Sequence, residues 1–399
     1  MRVRFPSPAP SAPQGLTRQA KNYQKRAVDG QTALWQHRAM LREPQSQFFL
    51  TRAGAQCMGA RRKPISYHSC RYRTLLILMA LNVSSTGRTD ENAWPPLKWQ
   101  KAAPSPFARV EAPAAVVNGK IYLFGGFTED LEASNQVDVY DPARDTWTRK
   151  KDMPTQLTHL NTARDGDTIW FAGGFKGKHP GPVTDEVWKY DIPSDTWTAG
   201  PPLPDRRAGG GLAVVGGRLH YFGGYKADRD ANAGEHWSLS LEGEKTWQRE
   251  ADLPDPRGHV SAAALDGQVY ALGGDHGHDI TQIDVDSCHR FDPAAKKWTK
   301  IASLPDGRSH FESSTIVAHG RIIIVGGRCN SSKPPRGVVA DVLEYDPRAN
   351  TWKVVGVMPE KLLAPVAAIV SGRMVLTAGG LNNPRPLTAA TWRAPLPGW

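Results

Sequence analysis

The residues with chemical potential recur at matched places along the chain. Arg109, Arg207 and His310 each stand sixteen residues before a Gly-Gly doublet, and His159 and His259 stand fourteen before theirs. Glu111, Asn161, Ser261 and Glu312 each follow one of these residues by two. A step of two keeps a side chain on the same face of an extended chain, so all of these residues are expected to point toward one channel. The set suits a polar ligand. Arginine forks onto a carboxylate, and a glutamate beside a histidine can hold hydroxyls or move a proton. A second group, Asp275-His276-Gly277-His278-Asp279, offers metal donors to which His259 or His310 could add, although no spacing here is diagnostic of zinc. Glu235 and His236 add a charged pair in the third repeat, while Leu363 and Pro365 break the pattern in the sixth.

A repeat must position these residues. Six doublets punctuate the chain, Gly125-Gly126, Gly173-Gly174, Gly223-Gly224, Gly273-Gly274, Gly326-Gly327 and Gly379-Gly380, spaced by 48, 50, 50, 53 and 53 residues. A tryptophan follows 22 to 26 residues after the first five: Trp147, Trp197, Trp247, Trp298 and Trp352. Seven residues before each tryptophan lies Tyr140, Tyr190, Ser240, Phe291 or Tyr345. The segments between are short and strand-like, with turn residues such as Asn118-Gly119 and Asp141-Pro142. Glycine pairs admit close backbone approach, and large flat rings fill the gaps between stacked sheets. One four-stranded sheet cannot bury such faces alone, but a closed ring of six can.

Closure is expected at Trp99, whose sequence Trp99-Gln-Lys-Ala resembles the stretch that follows Trp147 and Trp298. This N-terminal strand would complete the last blade, in preference to Trp399. The doublets, the spaced tyrosines and the tryptophans together resemble the kelch family, and a period near 50 residues exceeds that of WD40 repeats. The resemblance covers about 300 of the 399 residues and implies an all-β, six-bladed kelch β-propeller over residues 96–399. In such a blade the loops entering the first strand and leaving the second emerge on one face, so the candidate residues would crowd one rim.

For function the resemblance leaves three readings open. The first is a binding module that engages a glycan, a small molecule or a protein at the rim. The second is a carbohydrate-active enzyme, since exported bacterial kelch propellers include sialic-acid mutarotases (N-acetylneuraminate epimerases). That resemblance would give Glu312 or Glu111 with His310 the acid–base work, and Arg207 or Arg109 the carboxylate, without fixing any catalytic residue. A galactose-oxidase-type copper centre needs a cysteine cross-linked to tyrosine, and neither Cys288 nor Cys329 has a matching setting. No nucleophile motif, phosphate loop or dinucleotide fingerprint appears, and no cofactor is expected.

The formal charge of +11 is not a nucleic-acid signature of the repeat region. Residues 1–90 carry a net +12 and the remainder a net −1, so the basicity belongs to the extension. Residues 1–57 read as a disordered or mis-assigned extension. Residues 58–92 read as a signal-like leader: basic residues precede the short apolar run Thr74–Leu81, which is far below the ~20 residues that span a bilayer. Export to the periplasm or medium is expected on that reading, with a cytoplasmic location as the alternative; in either place a monomer without a transmembrane span is expected. The cysteines show no metal-ligand spacing, and Cys288 and Cys329 read as buried thiols, with a bond between them across neighbouring blades as the alternative.

Overall fold

The computed structural model describes residues 94–330, 337–396 and 398. The extension, the leader-like segment and Trp399 lie outside the described residues. Six four-stranded antiparallel sheets form the blades of a propeller. The first runs from the axis outward through Ala114–Val117, Lys120–Phe124, Val137–Asp141 and Thr146–Lys150. The other inner strands are Thr162–Asp165, Gly211–Val215, Ser261–Leu265, Thr315–Ala318 and Val366–Val370. These inner strands adjoin one another in ring order, the sixth meeting the first. The Glu312–Ser314 turn is the only helical element among the described residues, and no helix there is long and apolar enough to cross a membrane.

Local sequence explains the blade. Asn118 and Gly119 take φ of 50° and 72°, the twist that a two-residue hairpin needs between the inner strand and the next. The doublets sit where blades touch. A Cβ on Gly173 would lie 2.3 Å from the Arg207 carbonyl oxygen, and that same oxygen accepts a hydrogen bond from the Gly174 N–H at 2.8 Å.

The tryptophans hold each blade to the one before it. The Trp147 indole donates to the Ala103 carbonyl, Trp197 to Lys151, Trp247 to Pro201, Trp298 to Ala251 and Trp352 to Ala302, all at 2.9–3.1 Å. Tyr140 and Tyr190 donate their hydroxyls to Asp145 and Asp195 at 2.6 Å. Those carboxylates in turn accept the Ala103 and Lys151 N–H groups of the preceding blade. Trp99 is the sixth member of this ring, donating to the Val357 carbonyl at 2.9 Å. The strand after it, Gln100–Ala102, pairs with Thr391–Pro395 and completes the sixth blade. The N-terminal strand therefore closes the ring.

Candidate functional site

The residue pairs at the inner-strand entrances divide into two tiers. Arg109 and Arg207 do not face the channel. Each is almost fully buried within its blade, Arg109 on Asp138 and over the Phe107 ring, Arg207 on Glu235 at 3.1 Å and Asp205 at 2.7 Å. Arg257 and Arg308 occupy the same tier in the next two blades. Arg257 donates to the Gly273 carbonyl at 2.6 Å, and Arg308 to Asp341 at 2.7 Å. All four guanidiniums brace the frame. Glu235 joins that frame through Arg207, and His236 is buried beside His220 at 3.0 Å, so neither belongs to the axis.

The axial tier begins two residues later, at Glu111, His159, Gly209, His259, His310 and Ala364, and every one of the six has a left-handed φ between 42° and 65°. A residue of that conformation interrupts the period-2 alternation of a strand. The expected shared face of Arg109 or Arg207 with the histidines is therefore lost. His310 belongs with His259 rather than with Arg109, because the Glu312–Ser314 turn lengthens the fifth blade before its inner strand.

Around the axis Glu111 Oε2 lies 2.7 Å from His159 Nδ1, and its other oxygen lies 3.7 Å from His310 Nε2. The first of these contacts is poorly angled as a hydrogen bond, leaving Oε2 buried without a hydrogen-bond partner; Thr158 Oγ1 meets His159 Nδ1 at 3.0 Å instead. Glu312 accepts from His259 Nδ1 at 2.7 Å, and the His259 and His310 rings stack with centroids 3.7 Å apart. Asn161 and Ser261 face inward but are committed. Asn161 donates to the Gly210 carbonyl and Ser261 bonds Thr315.

The residues just after the doublets form the floor of this cluster. Phe127 and Phe175 pack edge-on against His159, and Tyr225 packs on His259 and His278. Tyr225 donates its hydroxyl to Asp275, and the buried Arg328 binds Asp275 at 3.2 Å and Asp284 at 2.7 Å. Arg328 and Tyr225 were not among the expected residues, although their place directly after Gly326-Gly327 and Gly223-Gly224 marks them.

The expected metal group is dispersed. Asp275 is locked under Arg328, and His276, half exposed, points away to Asp255 at 2.9 Å. His278 turns to the axis, its Nε2 3.4 Å from His159 Nε2 and its Nδ1 2.6 Å from Asp279, which also holds Arg229, and Asp275 keeps an oxygen within 4.8 Å of His310 and Asp284. Cys288 and Cys329 are both fully buried.

Burial disfavours charge on every axial group, and the neighbours decide the result. For His259 burial opposes the charge, but Glu312, aided by Asp275 and Glu111, outweighs it and raises the imidazole to about 9. Burial drives His159 and His310 well below the ordinary histidine value, and repulsion from His259 adds to it. His278 is lowered by burial against the pull of Asp279, and burial raises the Glu111 carboxyl. The neighbours thus push His259 one way and His159, His278 and His310 the other. Such divergence is the arrangement that places acid and base side by side.

A small gap of about 10 Å³, room for a single water, lies between Glu111, His159, His259, Glu312 and Ala364. A wider space of about 380 Å³ runs along the inner strands past Asn161, Thr162, Thr315 and Ile369. Glu312 and Ser313 line both, so they stand where the channel meets the cluster.

Comparison with known proteins agrees with this architecture. Residues 108–154 match the Kelch motif family, and residues 198–380 match the KLHDC2/KLHL20/DRC7 Kelch-repeats domain. The chain is 35% identical over 118 residues to an N-acetylneuraminate epimerase of Pasteurella multocida, a match covering 27% of this chain and 29% of that one. A Yersinia enterocolitica N-acetylneuraminate epimerase is 32% identical over 95 residues, 23% of this chain and 24% of that one. The Arabidopsis thaliana Kelch repeat-containing protein At3g27220 is 28% identical over 108 residues, a quarter of each chain. These matches thus span less than a third of the relatives' length. The solved structure of YjhT superposes with a TM-score of 0.53 at 16% identity, over 62% of this chain and 84% of that one, a likeness of fold. Six closed blades, the doublet–tyrosine–tryptophan repeat and the two family matches place this chain among the kelch-repeat β-propellers.

Proposed function

We propose that this propeller is a binding module for a hydroxyl-rich small molecule of the sugar class, taken into the axial channel with its polar end at Glu312 and Ser313. The observation that carries this is the shared position of those two residues between the wide channel and the Glu–His cluster. Carboxylate and hydroxyl groups at the end of a concavity fix the orientation of a polyol, and walls such as Ala114, Ala262 and Ile369 supply apolar contact. Export, read from the leader-like segment, is part of this proposal.

A second reading is favoured by the two relatives named N-acetylneuraminate epimerase. The same site would then interconvert sugar anomers, with a carboxylate–imidazole pair moving protons during ring opening and closure. Titration calorimetry with N-acetylneuraminate and neutral hexoses tests binding. Glu312→Gln is expected to weaken the preferred sugar by about tenfold or more, the worth of a hydrogen bond to a charged group, measured on variant protein whose folded circular-dichroism spectrum is retained. Equal affinity in the variant, or no binding of any sugar by the wild type, overturns the binding proposal. Exchange spectroscopy on the same samples decides between the readings: faster anomer exchange with wild type than with Glu312→Gln supports the enzyme, and equal exchange the module.

A further inference from the structure

We propose that His159, His259 and His278 form a binding site for a divalent transition metal of the zinc class. This proposal stands on its own geometry and holds whether or not a sugar enters the channel. The ligand-capable nitrogens of the three histidines lie within 4.8 Å of one another. The Nε2 atoms of His159 and His278 are 3.4 Å apart, which matches the edge of a tetrahedron whose metal–nitrogen bonds are about 2.0–2.1 Å.

The other ring nitrogen of each histidine is already occupied. His278 Nδ1 is held by Asp279 at 2.6 Å, His259 Nδ1 by Glu312 at 2.7 Å, and His159 Nδ1 by Thr158 Oγ1 at 3.0 Å with Glu111 at 2.7 Å. An oxygen on Nδ1 fixes the ring and directs Nε2 inward, which is how proteins orient imidazoles around a metal; at His259 the metal takes the place of the Nε2 proton, so binding releases it. His259 Nε2 is in keeping with this. It is fully buried and has no hydrogen-bond partner, a costly state for a polar atom unless something binds it.

Three imidazoles with carboxylate anchors favour zinc over calcium or magnesium, which take oxygen ligands. Glu111 and His310 stand beside His259 within the same 4.8 Å limit, so the fourth position faces either a carboxylate or an open ligand place. His278, on the loop after the Asp275–His276 strand, is the most accessible of the three.

The test uses the purified full chain, loaded with Zn²⁺, dialysed, and assayed by elemental analysis. A parallel titration with Co²⁺ reads the ligand-field spectrum of tetrahedral cobalt. The wild type is expected to retain about one zinc per chain and to give the tetrahedral spectrum. His278→Ala is expected to lose both. His276→Ala, two residues away but turned to Asp255, is expected to keep both. Asp279→Asn, which leaves all three ligands in place, is expected to bind roughly 10–100-fold more weakly. Zinc at background level in the loaded wild type, absence of the cobalt spectrum, or equal loss in His276→Ala and His278→Ala would each overturn the proposal.

Discussion

Two sets of histidines in this propeller show how partners, more than residue type, decide what an imidazole does. At the axis, His159, His259 and His278 each meet a carboxylate through Nδ1, and a small gap opens between two of them. Between the third and fourth blades, His220 and His236 meet only each other, a backbone carbonyl and the rings of Phe222, Phe291 and Trp298. Both sets are buried. The axial set turns its three ring nitrogens toward one another, whereas the second set, although His220 Nε2 also lacks a partner, is packed among aromatic rings with no third donor beside it among the described residues.

The comparison breaks most readily by deletion. His236→Ala removes a packed ring and strands His220, so it is expected to cost about 3 kcal/mol in denaturant unfolding, with zinc retention unchanged. A variant as stable as wild type would return His236 to the list of functional candidates.

Acid should act on the same pair. Burial, with Arg218 adding, lowers His220 to about 4, and burial, with His220 and Arg249 adding, lowers His236 well below its ordinary value. A depressed histidine takes up its proton later than the unfolded chain does. Stability is therefore full above about pH 6.5 and is lost as pH falls toward the folded value. A loss of about 2 kcal/mol by roughly pH 5 is expected from His220 alone. Melting curves should show this slope in the wild type and a shallower one in His220→Gln; identical slopes would contradict the assignment.

Ring closure supports both sets equally. Trp99→Ala removes the bond to the Val357 carbonyl and a partly buried indole, and a loss of about 2 kcal/mol is expected, with no change in which histidine variants lose metal. Unchanged thermal stability would refute the closing role of Trp99. The smallest effect belongs to His278→Ala, expected to change stability by less than about 1 kcal/mol while it removes metal binding. A large stability loss there would make the axial histidines a second piece of core.

Much of the frame was legible in the sequence because each glycine pair and tryptophan answers to a contact that recurs in every blade. The Trp99 strand could be recognised from its flanks, since its indole repeats the bond made by the other five. The axis was harder to read. Arg109 and His159 differ by two in their distance to the doublet, but the left-handed backbone at Glu111, His159, His259 and His310 turns the arginine tier into the blade and the next tier to the axis. An alternation rule cannot carry across such a residue. His310 was misplaced by counting, because the Glu312–Ser314 turn adds residues that only a structure locates. Arg328 and Tyr225 carry no motif beyond following a doublet, and their burial against Asp275 depends on contacts some 50 residues apart in sequence.

The central claim is that the working surface is the axial channel ending at Glu312 and the histidine cluster. A crystal structure of the protein soaked with N-acetylneuraminate or a neutral sugar tests it most directly. The account predicts the sugar in the channel with a hydroxyl on Glu312 and its body against Thr162, Thr315 and Ile369. A sugar bound instead in the outer groove between the second and third blades, beside Trp170, Lys189 and Leu239, would contradict it.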